Sequence, residues 1–330
     1  MNLLDSLQRI ASNDLEQWLS HERGESSARS VSTDYFGAIV GGRQPSTYAE
    51  SPYLWNRYLS LCDIPAAFVP LDIDSVDGVK RLLEVFRAQD RFFDLTITDP
   101  YKQHVLSLAS SVLGERVALS RGAAACRAIN HFVRTGENDM IAALNTDGLG
   151  MARSMASIVS IRDSQVLIIG AGGAARSISY ELLRRGASLM IASDFVDELE
   201  SLQRGLERYV REIGPRISVH ALETVRSLIP QAYILLNTVP VASRLGEIIS
   251  QDVSHLRLVA ETTYGAKASL ADFASEKRVP YLSGLHMLFG QFQPAARRVA
   301  SYLKIPIARH REAIAVIGGE DRYRLPMARG

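Results

Sequence analysis

The sequence predicts an α/β fold in two domains, on three observations. At 330 residues with 47% hydrophobic content, the chain is long enough for two separate cores. From Tyr35 onward, short β-like runs alternate with helical segments, the pattern of strands laid side by side with helices on their faces. Near its middle the chain reads Gln165-Val166-Leu167-Ile168-Ile169-Gly170-Ala171-Gly172-Gly173-Ala174-Ala175-Arg176. This is a buried-strand pattern that runs into a glycine-rich turn and then a helix.

In chain order, Leu3, Leu4, Leu7, Ile10, Leu15, Trp18 and Leu19 recur at helical spacing and predict one amphipathic helix over residues 2–20. Residues 22–32 read as a linker, so residues 1–33 form an extension. The helix caps its own domain or packs on a partner subunit, and a homodimer is one assembly it allows. The first domain, 34–148, has predicted strands at 36–40, 67–71, 93–98 and 125–130, and helices at 53–62, 76–89 and 102–112. A helix over 149–157 opens the second domain, 149–283, whose further strands fall at 189–193, 217–221, 233–237, 258–261 and 279–282. A long helix over 284–303 follows, then a peripheral helix and a loose tail to residue 330.

The glycine turn carries the first chemical signal. Gly170-x-Gly172-x-x-Ala175 between a strand and a helix fits a dinucleotide fingerprint. Gly170 permits the tight turn, Gly172 lets backbone approach a pyrophosphate, and Ala175 allows close helix-to-strand packing. The N–H groups at the helix start would face the phosphates. The next strand ends at Asp194, where a carboxylate hydrogen-bonds the two adenine-ribose hydroxyls. NAD is therefore the expected cofactor and NADP the less favoured one. The competing reading makes Asp194 a cap for the helix that follows.

Further stretches line up in order with one family. They are Ser51-Pro52 after Pro45, Thr96-Ile97-Thr98-Asp99-Pro100-Tyr101-Lys102, Ala128-Ile129-Asn130, Asn145-Thr146-Asp147-Gly148, Asn237-Thr238-Val239-Pro240, Tyr264, and Gly284 through Gln291. With the glycine turn, they make the sequence resemble the shikimate/quinate dehydrogenase family over about residues 35–303. The resemblance implies an N-terminal α/β substrate-binding domain, a Rossmann-type doubly wound domain, and a C-terminal helix returning to the first domain. It implies hydride transfer between a nicotinamide and a secondary alcohol of a cyclic hydroxy acid, with Lys102 and Asp147 as the proton-transfer pair. Ser51, Thr96, Thr98, Asn130, Tyr264 and Gln291 would contact the substrate. Gly170, Ala171, Gly172, Gly173, Ala174, Ala175, Asp194, Asn237, Thr238, Val239, Gly284 and Met287 would contact the cofactor. The chemistry asks for such a pair, because the hydroxyl proton must leave as hydride departs.

The departures from the family pattern are informative. The family usually carries two hydroxyl residues that reach the substrate carboxylate, where this chain has Ala49 and Ser51 around Glu50. Tyr48 stands where a histidine is usual, Arg43 where a glycine is, and Thr96 where an asparagine is, with Asp99 inside the lysine motif. The proton-transfer positions are kept while ring-recognition positions drift. The substrate is therefore expected to be similar to shikimate or quinate without being shikimate itself. The alternatives are a dehydrogenase of a modified, for example aminated, ring and a catalytically silent nucleotide-binding sensor on the same fold. Retention of Lys102 and Asp147 argues against the sensor.

Composition narrows the remaining classes. The net charge is +1, from 37 basic and 36 acidic residues, which calls for neither nucleic acid nor an anionic membrane. No apolar run approaches a membrane span, and the charged first twenty residues argue against a signal peptide. Cys62 and Cys126 lie far apart and read as buried thiols in a reducing, cytoplasmic setting. The seven histidines show no ligand spacing, so no metal is expected.

Overall fold

The computed structural model describes residues 3–23, 33–136, 140–210, 216–239, 253–265 and 270–325. The chain forms two compact units. The first consists of Met1–Ala123, Arg127–Leu144 and Gln293–Gly319, the second of Ala124–Cys126, Asn145–Phe292 and Glu320–Gly330.

Where one N-terminal helix was expected, there are two, α1 (Leu3–Gln8) and α2 (Leu15–Arg23). The break is made by short polar side chains that outcompete the helical ladder. Ser12 Oγ donates to the Asp72 carbonyl at 2.9 Å, and Asn13 bonds the Pro70 carbonyl at 3.0 Å and the Asp72 N–H at 2.9 Å. Asp14 then caps α2 by accepting the Gln17 N–H at 2.9 Å. Leu7 and Leu15 are buried in one cluster with Val69, Leu71 and Phe86, so these helices cap their own unit. The expected linker is helical as far as Arg23, and its residues 24–32 lie outside the described residues.

The elements β1 (Tyr35–Gly41), α3 (Ser51–Leu61), β2 (Ala66–Asp72), α4 (Val76–Ala88) and β3 (Phe92–Ile97) fall within about two residues of expectation. Next, α5 (His104–Leu108) starts later than expected and runs into a π turn over Ala109–Leu113. Then come β4 (Val117–Leu119), α6 (Arg121–Cys126), β5 (His131–Arg134) and β6 (Ile141–Leu144). The strand expected at 125–130 is instead the end of α6 and a turn. Ser120 caps α6 by accepting the Ala123 N–H, three alanines favour helix, and Arg127 closes it at φ 52°. Strands β4, β5 and β6 were not anticipated, being too short for their period to be read.

The first sheet has the order β2-β1-β3-β5-β6-β4, with β5 antiparallel to both neighbours. One face packs on α1, α2 and α4. On the other, Trp55 of α3 stacks on Phe68 at 5.3 Å and meets Phe93 at 5.8 Å. Burying each such ring contributes about 1.5–3 kcal/mol.

The second unit contains α7 (Asp147–Ala156), β7 (Gln165–Ile169), α8 (Gly173–Arg184), β8 (Ser188–Ser193), α9 (Val196–Val210), β9 (Ile217–Ala221), α10 (Val225–Leu228), β10 (Ile234–Asn237), β11 (Leu258–Glu261), α11 (Ala271–Glu276) and β12 (Tyr281–Leu282). The helix α12 (Gly284–Tyr302) begins in this unit, and its residues from Gln293 onward, with α13 (Ile307–Gly318), count with the first. The second sheet is wholly parallel in the order β12-β11-β10-β7-β8-β9. Renumbered from β7, this is the doubly wound order of dinucleotide-binding sheets, with its switch point between β7 and β10. The tail expected to be loose is anchored as far as Leu325: Tyr323 is buried and stacks on Phe289 at 5.4 Å. Residues 326–330 lie outside the described residues. Among the described residues, no helix is long and apolar enough to cross a membrane.

Candidate active site

The glycine turn sits at the carboxyl end of β7, at the switch point. Gly170 has φ +102°, and a Cβ there would stand 2.5 Å from Thr238 Oγ1, so only glycine fits. Gly172 and Gly173 are different. A Cβ at either would meet no atom within 4 Å. Packing within the protein does not demand their smallness, and the open space lies at the start of the 12-residue α8. A phosphate approaching that helix start would find exposed N–H groups and the favourable end of the helix dipole. Ala175 is fully buried against the sheet side, in keeping with its packing role. Arg176 braces the turn, donating to the Ala171 carbonyl at 3.3 Å and to Ser201 Oγ at 3.1 Å.

Across the switch point, Thr238 is bound through both its N–H and its hydroxyl to the Ile169 carbonyl, at 2.9 and 2.7 Å. Asn237 brackets Val239, donating to its carbonyl and accepting its N–H, both at 3.1 Å. Pro240 lies outside the described residues. Asp194 is exposed directly after β8. The first N–H beyond it, that of Phe195, bonds Ser193 Oγ at 3.2 Å instead. Among the described residues, Asp194 accepts no bond from the first turn of α9.

Asp147 opens α7 and is buried. Its neighbours are pinned by Ser177 of α8, which the sequence reading missed. Ser177 Oγ accepts the Gly148 N–H at 2.8 Å and donates to Asn145 Oδ1 at 2.6 Å. A Cβ at Gly148 would come within 2.0 Å of the Ser177 carbonyl, so α7 and α8 touch there. Cys126 lies beside this cluster, and burial pushes its thiol up to about 12, an inert neutral group at ordinary pH.

The same helix meets α12. A Cβ at Gly150 would stand 2.6 Å from the Met287 carbonyl and 2.5 Å from the Gln291 N, and one at Gly290 would stand 2.7 Å from the Gly150 carbonyl. These contacts bring Met287 and Gln291 alongside the helix that begins at Asp147. Gly284 starts α12 with its N–H on the Thr263 carbonyl at 2.8 Å, one residue before the half-buried Tyr264. Glu261, also missed, organises this corner. Fully buried at the end of β11, it accepts from Thr263 Oγ1 at 2.7 Å, the Leu270 N–H at 3.1 Å and the Tyr281 hydroxyl at 2.5 Å. Burial and that bond push the Tyr281 phenol well up. The available signal was a lone acid ending an apolar strand.

In the first unit, Thr98, Lys102 and Asn130 lie around the carboxyl end of β3. Half-buried Lys102 precedes α5, and its carbonyl accepts the Ile129 N–H at 2.8 Å, which sets it beside buried Asn130. Asn130 is held through its backbone to Ile97 and Leu144, at 2.8 and 2.9 Å. The N–H of Thr98 bonds the Val40 carbonyl at 2.9 Å, and buried Ser51 opens α3. Thr96 stands apart from this group. It is buried, its hydroxyl donates to Asp94 Oδ1 at 2.8 Å, and His131 Nδ1 lies 3.1 Å from both that hydroxyl and Asp94 Oδ2. This Asp94–Thr96–His131 cluster was not visible in the sequence, because its members meet only through the pairing of β3 with β5. Lys102 belongs to the first unit and Asp147 to the second.

The departures from the family pattern interlock. Arg43 Nε pairs with Asp99 Oδ2 at 3.1 Å, and burial pushes the Tyr48 phenol up, with nearby Thr98 opposing the shift. Ser46, in the same loop, bonds Asp72 through its N–H at 3.0 Å and its hydroxyl at 2.5 Å.

No family model matches the chain. Among curated proteins, it is 28% identical over 285 residues to the shikimate dehydrogenase (NADP(+)) of Jannaschia sp., covering 84% of this chain and 95% of that one. It is 26% identical over 259 residues to the same-named protein of Streptococcus gordonii, covering 76% and 87%. It is 30% identical over 155 residues to that of Caldicellulosiruptor saccharolyticus, where it spans about half of the relative, 52%, and 46% of itself. Among solved structures, shikimate 5-dehydrogenase from Listeria monocytogenes, in complex with shikimate and NAD, superposes with a TM-score of 0.66 at 19% identity, covering 88% of this chain and 99% of that one. Mycobacterium tuberculosis shikimate dehydrogenase superposes at 0.67 with 19% identity, covering 86% and 99%. The structural likeness establishes the fold, and with the sequence likeness it makes the chain a divergent shikimate dehydrogenase-like protein.

Proposed function

We propose that the chain is an NAD-dependent oxidoreductase acting on a secondary alcohol of a cyclic hydroxy acid similar to shikimate or quinate. The observation that carries this reading is the open glycine cradle of Gly172 and Gly173 at the switch point of a doubly wound sheet, in a chain whose relatives are named shikimate dehydrogenases. When bound there, the nicotinamide supplies the hydride acceptor. Lys102 Nζ takes the hydroxyl proton, and the Asp147 carboxylate holds the same hydroxyl in place. Ser51, Thr98, Asn130, Tyr264 and Gln291 hold the ring. Engagement of Thr96 with Asp94 supports a ring altered at that contact.

The preference for NAD rests on Asp194. The stretch Ser193-Asp194-Phe195-Val196-Asp197-Glu198 offers no cation to a 2′-phosphate, and the guanidinium of Arg176 is engaged with Ala171 and Ser201. The names of the relatives carry NADP(+), which bears the other way. Calorimetric dissociation constants for NAD and NADP on wild type and Asp194→Ala decide the matter. We expect NAD to bind at least about tenfold tighter, a difference near 1.4 kcal/mol, and the substitution to narrow that gap. Equal affinity in the wild type refutes the NAD preference. Oxidation of a panel of cyclic hydroxy acids, followed by the absorbance of the reduced nicotinamide, tests the reaction itself.

A further inference from the structure

Ser177 of α8 has no part in the function above, yet it holds the chain on both sides of Asp147. Its hydroxyl accepts the Gly148 N–H at 2.8 Å and lies 2.6 Å from Asn145 Oδ1. The roles are forced. A backbone N–H can only donate and an amide oxygen can only accept, so the one hydroxyl hydrogen goes to Asn145 and a lone pair takes Gly148. Asn145, Asp147 and Ser177 are all buried, which leaves water a poor competitor for these bonds.

The start of α7 needs such a partner. Gly148 is the second residue of the helix, where an N–H has no acceptor within the helix itself. Thr146, in the capping position, supplies none through its side chain. Ser177 therefore caps α7 from a neighbouring helix, the work that a side chain at the helix start usually does. Glycine at 148 makes the approach possible, since a Cβ there would stand 2.7 Å from the Ser177 hydroxyl. Short acids in a first turn fold back onto its free N–H groups, and with the Gly148 N–H taken, one of those alternatives is closed to the Asp147 carboxylate. Ser177 also lies only four residues beyond Gly173, about 6 Å along α8. One helix thus carries both the open glycine cradle and the clamp on Asp147.

We propose that Ser177 is a positioning residue that fixes the Asp147 carboxylate to the helix seating the dinucleotide, so that proton and hydride leave one carbinol in register. The proposal rests on the reading of Asp147 as a member of the proton-transfer pair. Kinetics and calorimetry on Ser177→Ala, Asp147→Asn and the double variant test it, with the cyclic hydroxy acid that the wild type oxidises fastest. Ser177→Ala should lower kcat about tenfold, with the dissociation constant for NAD within about twofold of wild type. In the double variant kcat should equal that of Asp147→Asn alone, because Ser177 acts through Asp147. A residue needed only for stability would lower both backgrounds alike. Should Ser177→Ala not fold, Ser177→Cys, which fills the space with a weaker donor and acceptor, gives the same test.

Wild-type kcat in the Ser177 variant, or a double variant that loses a further factor of about ten, overturns the proposal. A crystal structure of the ligand-free Ser177 variant needs no turnover. Its Asp147 carboxylate should be displaced or turned onto the first turn of α7, and a carboxylate in its wild-type place overturns the proposal even if kcat falls. If the wild type oxidises no cyclic hydroxy acid, the function reading fails and takes the proposal with it. An active wild type with an equally active Ser177 variant sinks the proposal alone.

Discussion

The ligand sites proposed for the two units are built from different kinds of residue. In the second, the proposed phosphate site is made of backbone: a strand end, a turn with φ +102° at Gly170, and two glycines with open space before a helix. In the first, the ring contacts proposed for that unit are side chains, and on the nearby loop Arg43, Tyr48 and Ala49 have replaced the expected residues. A backbone cradle tolerates little substitution because its geometry comes from φ angles and helix ends. A side-chain site can change residue by residue, provided that each buried polar group finds a new partner. Arg43 and Asp99 pair with each other at an exposed part of this loop, where there is little burial to offset.

This contrast can be broken at several points. The largest expected effect is on the chemistry: Lys102→Ala or Asp147→Asn should lower turnover by about 10²-fold or more, with the nucleotide dissociation constant nearly unchanged. A variant with wild-type turnover removes that residue from the catalytic role. Next come the two glycines. Gly170→Ala should destabilise the chain by about 1–3 kcal/mol through backbone strain, whereas Gly172→Ala should cost under about 0.5 kcal/mol in a urea melt. Yet Gly172→Ala should weaken dinucleotide binding about tenfold if a phosphate occupies the open space. A destabilised Gly172→Ala protein with intact binding would make that glycine structural.

In the ring half, Ala49→Ser should strengthen binding of shikimate by up to about 1–2 kcal/mol, the scale of a hydrogen bond to a charged group, and wild-type turnover of shikimate should be weak. Efficient wild-type turnover of shikimate contradicts this. The smallest effect is on stability against pH, and it touches both units. Burial holds His310 of the first unit and His286 of the second below the ordinary 6.5, with Arg297 and Arg311 adding to the effect at His310. The unfolded chain therefore binds these protons more readily. The stabilisation is complete above pH 6.5 and is lost as the pH falls through that value toward the folded-state pKa. Melting temperatures should decline below pH 6.5, and His310→Gln should flatten the decline. A curve as steep as that of the wild type would remove His310 as its source.

The sequence by itself determined the parallel nucleotide-type sheet. Gln165 to Arg176 can be read because a buried parallel strand is a continuous apolar run and a phosphate turn needs glycines at fixed offsets, both local properties. It also determined β1 to β3 with α3 and α4 of the first unit, where aromatic and β-branched runs alternate with amphipathic ones. Only the tertiary structure decided the rest. The N-terminal helix splits because Asn13 finds the backbone of β2, 57 and 59 residues away. The alanine-rich end of α6 is helical where a short apolar run allowed either state, and Tyr323 anchors the tail on Phe289. Ser177 beneath Asp147, Glu261 behind Tyr264 and the Asp94–Thr96–His131 cluster exist only because distant strands and helices meet. Such partnerships are set by three-dimensional proximity, and polar residues that become satisfied on burial look, in one dimension, like any others on a surface.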